Sequence, residues 1–163
     1  MKVTLEELLP VLEDVLAGGG EVSLTPNGVS MRPMLESGRD TITLKRFNRP
    51  LKKYALPLYR NKDGRFILHR VIGKNKQGYI MRGDNLLIKE YGITDDMILG
   101  EVVSFVRKGK EHSVDEPLYK LYCIARNNGV TVFLRKIKLI LRRIAYKTRR
   151  SVRKLNKSSK NGQ

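Results

Sequence analysis

Apolar and polar positions follow three successive periods along this chain. In the first, Leu5, Leu8, Leu9, Leu12, Val15 and Leu16 recur every three or four residues, with Glu13 and Asp14 outside that stripe. This spacing predicts a helix. Thr4-Leu5-Glu6-Glu7 reads as a capping box that opens it, Pro10 marks an early turn or a kink, and Gly18-Gly19-Gly20 ends it. From Glu21 onward short strand-like runs take over, rich in Val, Ile and Tyr. They span 21–25, 41–44, 55–59, 66–72, 79–81, 97–106 and 111–114, separated by turn sequences such as Ser37-Gly38-Arg39-Asp40 and Asn61-Lys62-Asp63-Gly64. Such a series predicts a mostly antiparallel β domain. After Glu116 the helical period returns. Leu118, Leu121, Tyr122 and Ala125 form one stripe, and Asn127-Asn128-Gly129 interrupts it. Val130, Phe133, Leu134, Ile137, Ile140, Leu141 and Ile144 form the next. The expected fold class is mostly β, with an N-terminal helix and a basic helical extension at the C-terminus. The expected organisation is a β domain with its helix over 1–116, an amphipathic extension over 117–157 and a disordered polar tail over 158–163.

Charge sharpens the division. Residues 1–116 hold 19 Lys and Arg and all 16 acidic residues, whereas the last 47 residues hold 14 Lys and Arg and no acid. A segment this basic implies an anionic partner. Its apolar stripe, opposed by Arg135, Lys136, Lys138, Arg142 and Arg143, fits two readings: a helix folded back on the β domain with its charged face in solvent, or one lying on an anionic membrane surface through residues 130–157. No aromatic or helix-turn-helix reader accompanies the charge, so nucleic acid is not the expected partner. No run approaches the ~20 apolar residues that cross a bilayer, and the first residues lack a signal-peptide pattern. The expected location is cytoplasmic, either in solution or peripheral at the membrane. A single cysteine, Cys123, excludes an internal disulfide and reads as a small apolar helix residue. Together with His69 and His112 it makes no zinc pattern, and neither a metal nor an organic cofactor is expected.

Candidate chemistry lies in three separated segments. Ser30 stands in Gly28-Val29-Ser30-Met31-Arg32-Pro33. Gly28 permits backbone angles closed to other residues, and Pro33 fixes its own φ and restricts Arg32, so the hydroxyl is held on a stiff turn. Serine attacks only when a base takes its proton. His69, in Phe66-Ile67-Leu68-His69-Arg70-Val71-Ile72, offers an imidazole titrating near neutrality. Asp84, in Gly83-Asp84-Asn85, offers a carboxylate to orient that ring. His112 reads as an exposed turn histidine.

The order of these segments, with Gly38-Arg39-Asp40 between the first two, resembles the signal peptidase I family and the self-cleaving repressor peptidases related to it. The resemblance covers roughly residues 21–107. Most bacterial members carry lysine at the base position. His69 there is similar to the archaeal and endoplasmic-reticulum branch. The resemblance implies a serine endopeptidase that cleaves an extended signal or leader peptide after small residues. It also implies Ser30 as nucleophile, His69 as base and Asp84 as the supporting carboxylate. The family's second acidic position falls at Glu90, a Glu in place of an Asp. Two departures stand out. Gly28 occupies the place where bacterial members often carry an oxyanion-binding hydroxyl, leaving backbone N–H groups for that task, and no transmembrane helix is evident. Two further readings stay open: a self-processing peptidase of the repressor type, and a non-catalytic module that binds membrane or nucleic acid through its basic helix.

Overall fold

The computed structural model of the protein describes residues 5–47 and 49–160. Thr4, and with it the expected capping box, lies outside the described residues. Helix α1 (Leu5–Ala17) carries Pro10 within it. Leu12 and Leu16, one turn apart and on one face, are buried in the core. The helix stops where Gly18 and Gly20 donate to the Asp14 and Val15 carbonyls and Gly19 takes a φ of 80°.

Nine strands follow among the described residues: β1 (Glu21–Leu24), β2 (Thr41–Lys45), β3 (Pro57–Arg60), β4 (Phe66–Leu68), β5 (Arg70–Asn75), β6 (Gly78–Arg82), β7 (Glu90–Ile93), β8 (Ile98–Arg107) and β9 (Lys110–Ser113). They form two antiparallel sheets, so the protein is mostly β as its periodicity predicts. The first sheet runs β1-β2-β8-β3-β4 with β9 also on β8, and the second runs β5-β6-β7. The long β8 is the spine of the first sheet, pairing with β3 near its start and with β2 and β9 near its end. Each sheet covers its own core. Ile42, Leu44, Leu58 and Val102 belong to one, and Tyr59, Val71, Tyr79 and Met81 to the other. Successive side chains of a strand point to opposite faces, so β3 supplies Leu58 to the first core and Tyr59 to the second.

Two features of the sheets differ from expectation. The run 66–72, expected as one strand, is two: β4 pairs with β3 in the first sheet, and β5 pairs with β6 in the second. Leu68 and Val71 are both buried, each in a different core. A single strand would turn them to opposite faces of one sheet; changing sheets at His69 buries both. Strand β7 lacks an alternating signal, since Tyr91 is exposed and only Ile93 is buried. It forms by pairing Glu90 with Met81 and Ile93 with Tyr79.

Helix α2 (Pro117–Asn127) belongs to the β body. Tyr119 and Cys123, one turn apart, are buried in the first core. The chain therefore divides after Asn127, not after residue 116. The second unit is formed by the 32-residue helix α3 (Gly129–Lys160). This helix takes in residues 158–160, which were expected in a disordered tail, while 161–163 lie outside the described residues. Among the described residues, no helix is long and apolar enough to cross a membrane.

Candidate active site

Ser30 sits in the loop between β1 and β2, which folds as consecutive turns. Arg32 N–H donates to the Val29 carbonyl and Leu35 N–H to that of Met31. Met31, Met34 and Leu35 are buried in the first core and pin the loop from below, leaving Ser30 half-buried above them. Gly28 takes a φ of 115°, which other residues rarely adopt. The far end of the loop is closed by Asp40. Its buried carboxylate accepts from the Glu36 N–H (2.8 Å), the Lys108 N–H (3.2 Å) and both the Nε and Nη2 of Arg39 (2.7 and 2.8 Å). The Arg39 hydrogen bonds, against the opposing effect of burial, hold this carboxyl far below the usual carboxylate range. Gly38-Arg39-Asp40 is thus a loop anchor.

The Gly83-Asp84-Asn85 turn reaches the Ser30 loop from the second sheet, and each residue has its own task. Asn85 N–H donates to the Ser30 carbonyl at 2.7 Å, and Asn85 Nδ2 to the Val29 carbonyl at 3.2 Å. Gly83 lies where these segments converge. A Cβ there would stand 2.7 Å from the Ser30 carbonyl oxygen and 3.0 Å from His69 Nε2. The Ser30 backbone and the outer nitrogen of His69 therefore both lie within 3.0 Å of one point. Only a residue without a side chain allows that approach.

His69 occupies the break between β4 and β5 and is buried. Its Nδ1 lies 2.6 Å from Glu90 Oε1, at the start of β7. Tyr59, from β3, donates its hydroxyl to Glu90 Oε2 at 2.9 Å and lies 3.4 Å from His69 Nδ1. With Tyr59 donating to the carboxylate, the Glu90 oxygen beside Nδ1 is an acceptor. This network assigns the proton of a neutral ring to Nδ1 and leaves the Nε2 lone pair bare on the Gly83 side. Burial pushes the His69 pKa below its ordinary value, and the Glu90 charge opposes that shift without cancelling it. Burial thus favours the neutral ring. Burial and the neighbouring Glu90 together push the Tyr59 phenol well up, so it stays a donor.

Asp84 does not hold the imidazole. Its two oxygens face Arg70, at 2.8 Å from Nε and 2.7 Å from Nη2, and Tyr122 also donates to it at 3.0 Å. His69 and Arg70 are neighbours that project to different sides, and Asp84 stands on the Arg70 side. Arg70 is wholly buried and reaches further, from Nη1 to the Tyr54 carbonyl, Tyr119 hydroxyl and Cys123 sulfur. Burial works against its charge, but Asp84 outweighs that and holds the guanidinium above its ordinary pKa. The pair fixes the Gly83-Asp84-Asn85 turn and docks α2. Asp84 still favours a protonated His69 through its field, less than Glu90 does.

Sequence reasoning missed Tyr59, Arg70 and Ser37. Arg70 carried a signal: a cation inside an apolar run needs a buried counter-ion. Ser37 accepts from the Gly28 N–H at 2.9 Å, and its own hydroxyl proton has no acceptor among the described residues. Ser30, Ser37 and His69 line one cleft of about 280 Å³, together with residues 26–28 and 31 of the Ser30 loop and residues 65–68. The Ser30 loop continues β1 and residues 65–68 contain β4, the strands at the two ends of the β1-β2-β8-β3-β4 order. Among the described residues the Ser30 hydroxyl makes no hydrogen bond, to His69 or otherwise, and no cluster of His, Cys, Asp and Glu suits a metal ion. His112, expected in an exposed turn, is half-buried on β9, stacked on Phe105 and paired with Glu116 at 3.1 Å. No known family model matches the chain, and no curated protein matches it.

Proposed function

We propose that this protein is a serine endopeptidase acting on an extended peptide. The observation that carries the reading is His69: Nδ1 tied to a carboxylate, Nε2 bare, and the Ser30 turn brought against it across Gly83. In this mechanism Ser30 Oγ attacks the peptide carbonyl while His69 Nε2 takes its proton. Glu90 accepts the Nδ1 proton's hydrogen bond and stabilises the imidazolium that forms; Tyr59 holds Glu90 in place. The imidazolium then protonates the leaving amine. Water, activated by the same nitrogen, releases the acyl group from Ser30. Catalytic hydrogen bonds often tighten only around substrate, which accommodates the unbonded Ser30 hydroxyl.

Backbone N–H groups of the Ser30 turn are the first candidates to bind the oxyanion, as the absence of a hydroxyl at Gly28 requires. Ser37 adds a second: its oxygen is occupied by Gly28 N–H, and its proton is free to point into the cleft. A substrate strand would lie between the open edges of β1 and β4, pairing its main chain with theirs. The ordered motifs that resemble signal peptidase I support small side chains just before the scissile bond and a signal or leader peptide as substrate. The test is turnover of a fluorogenic peptide with a small-X-small site. Ser30→Ala and His69→Ala each lose nearly all hydrolysis while keeping the wild-type circular dichroism spectrum. Undiminished hydrolysis by Ser30→Ala overturns the proposal and leaves the non-catalytic reading.

A further inference from the structure

We infer that helix α3 lies in the interfacial plane of an anionic lipid bilayer, as the protein's attachment to membranes. This goes beyond the peptidase reading and does not depend on it. Phe133, Ile137 and Ile140 follow each other at four- and three-residue steps, so they share one helix face, and they are 61%, 38% and 55% exposed. Leu134 and Leu141, also exposed, widen the same stripe. At 100° per residue Arg135, Lys136, Lys138 and Arg142 fall on the remaining arc. Val132, Leu139 and Tyr146 are the large apolar exceptions to the division. Residues 128–163 contain twelve Lys and Arg and no acidic residue.

Charge selects the occupant of this face. The rest of the chain has 21 Lys and Arg against 16 acids, so it offers no excess of negative charge to cover the helix. A second copy of α3 would set two wholly cationic helices side by side, with no acid to pair the flanks as a coiled coil requires. An anionic bilayer supplies both a negative surface and an apolar layer. The helix is built in two parts for that. Residues 130–146 carry eleven apolar residues and five basic ones, whereas 147–160 carry seven basic residues and only Val152 and Leu155 as large apolar ones. The first part supplies insertion and the second supplies selectivity for anionic headgroups.

The test is co-sedimentation of the full chain with vesicles of phosphatidylcholine alone and with about a third phosphatidylglycerol. Binding is expected to the anionic vesicles and to weaken steeply from about 0.05 to 0.3 M salt. Each basic residue near the surface is worth about fivefold in affinity. Replacing Arg149, Arg150, Arg153 and Lys154 together by Gln should thus cost about 100-fold or more. The triple variant Phe133→Ser, Ile137→Ser, Ile140→Ser should lose a similar factor, though it keeps every charge. Both variants should cleave soluble peptide at the wild-type rate, which separates this result from the peptidase test. Unchanged vesicle binding in the triple variant, tighter binding to duplex DNA than to anionic vesicles at equal salt, or a stable dimer of the free protein that buries these residues would each overturn the inference.

Discussion

Replacing Glu90 by Gln removes one charge from the site and little else. The glutamine carbonyl can still accept the His69 Nδ1 proton, and its amide can face the Tyr59 oxygen, so the ring keeps its tautomer. What is lost acts only when His69 is charged. A carboxylate about 4 Å from an imidazolium contributes about 4 kcal/mol at an effective dielectric of 20. Glu90 is 31% exposed, so solvent screens part of that, leaving about 2–3 kcal/mol, or a 30- to 150-fold loss in kcat/KM. The pH profile carries an independent sign. If His69 is the base, activity should fall in acid as it takes a proton, and burial should set that fall below the imidazole's ordinary pKa. Glu90 raises the His69 pKa, so Glu90→Gln should move the acid limb lower still. The assay is kcat/KM for a fluorogenic peptide across the acidic range. A loss under about threefold, or an acid limb that moves upward, refutes the assignment of Glu90 as the partner of His69.

Gly83→Ala places a methyl group 2.7 Å from a backbone oxygen and 3.0 Å from His69 Nε2. Peptide turnover should drop about 100-fold, more than the accompanying fall in thermal midpoint would explain. Arg70→Met strands Asp84 as a buried, unpaired charge and should destabilise the fold by about 3–5 kcal/mol in urea melts. Asp40 contributes stability that is fully present above the ordinary carboxylate pKa and is lost as pH falls towards its depressed folded value. The urea midpoint should therefore drop below about pH 4, and Asp40→Asn should flatten that part of the profile while costing about 1–3 kcal/mol at neutral pH.

Much of this arrangement was legible where the local signal and the tertiary structure agree. The turn residues around Ser30, the Gly83-Asp84-Asn85 turn and the helix break at Asn127-Asn128-Gly129 declare themselves through backbone chemistry. The change of sheet at His69 does not, because Phe66 to Ile72 carries apolar residues on both sides of His69 and Arg70 and reads as one strand. Only the existence of two cores decides it. The partner of His69 was obscured for the same reason: Asp84 sits in a marked turn, whereas Glu90 opens a strand with no alternating pattern. The boundary at residue 116 followed charge, yet Tyr119 and Cys123 place α2 in the core. Tyr59 left no trace, since a buried tyrosine on a strand looks the same with or without a carboxylate to bind.

The claim on which the mechanism rests is that His69 presents a bare Nε2 beside Ser30 while Glu90 holds its Nδ1. Nitrogen-15 NMR of the two imidazoles, His69 and His112, reads this directly and needs no substrate. His69 near pH 7 is expected to be neutral, to carry its proton on Nδ1 and to titrate below about 6.5. A proton on Nε2, or a ring already charged near neutrality, would contradict it.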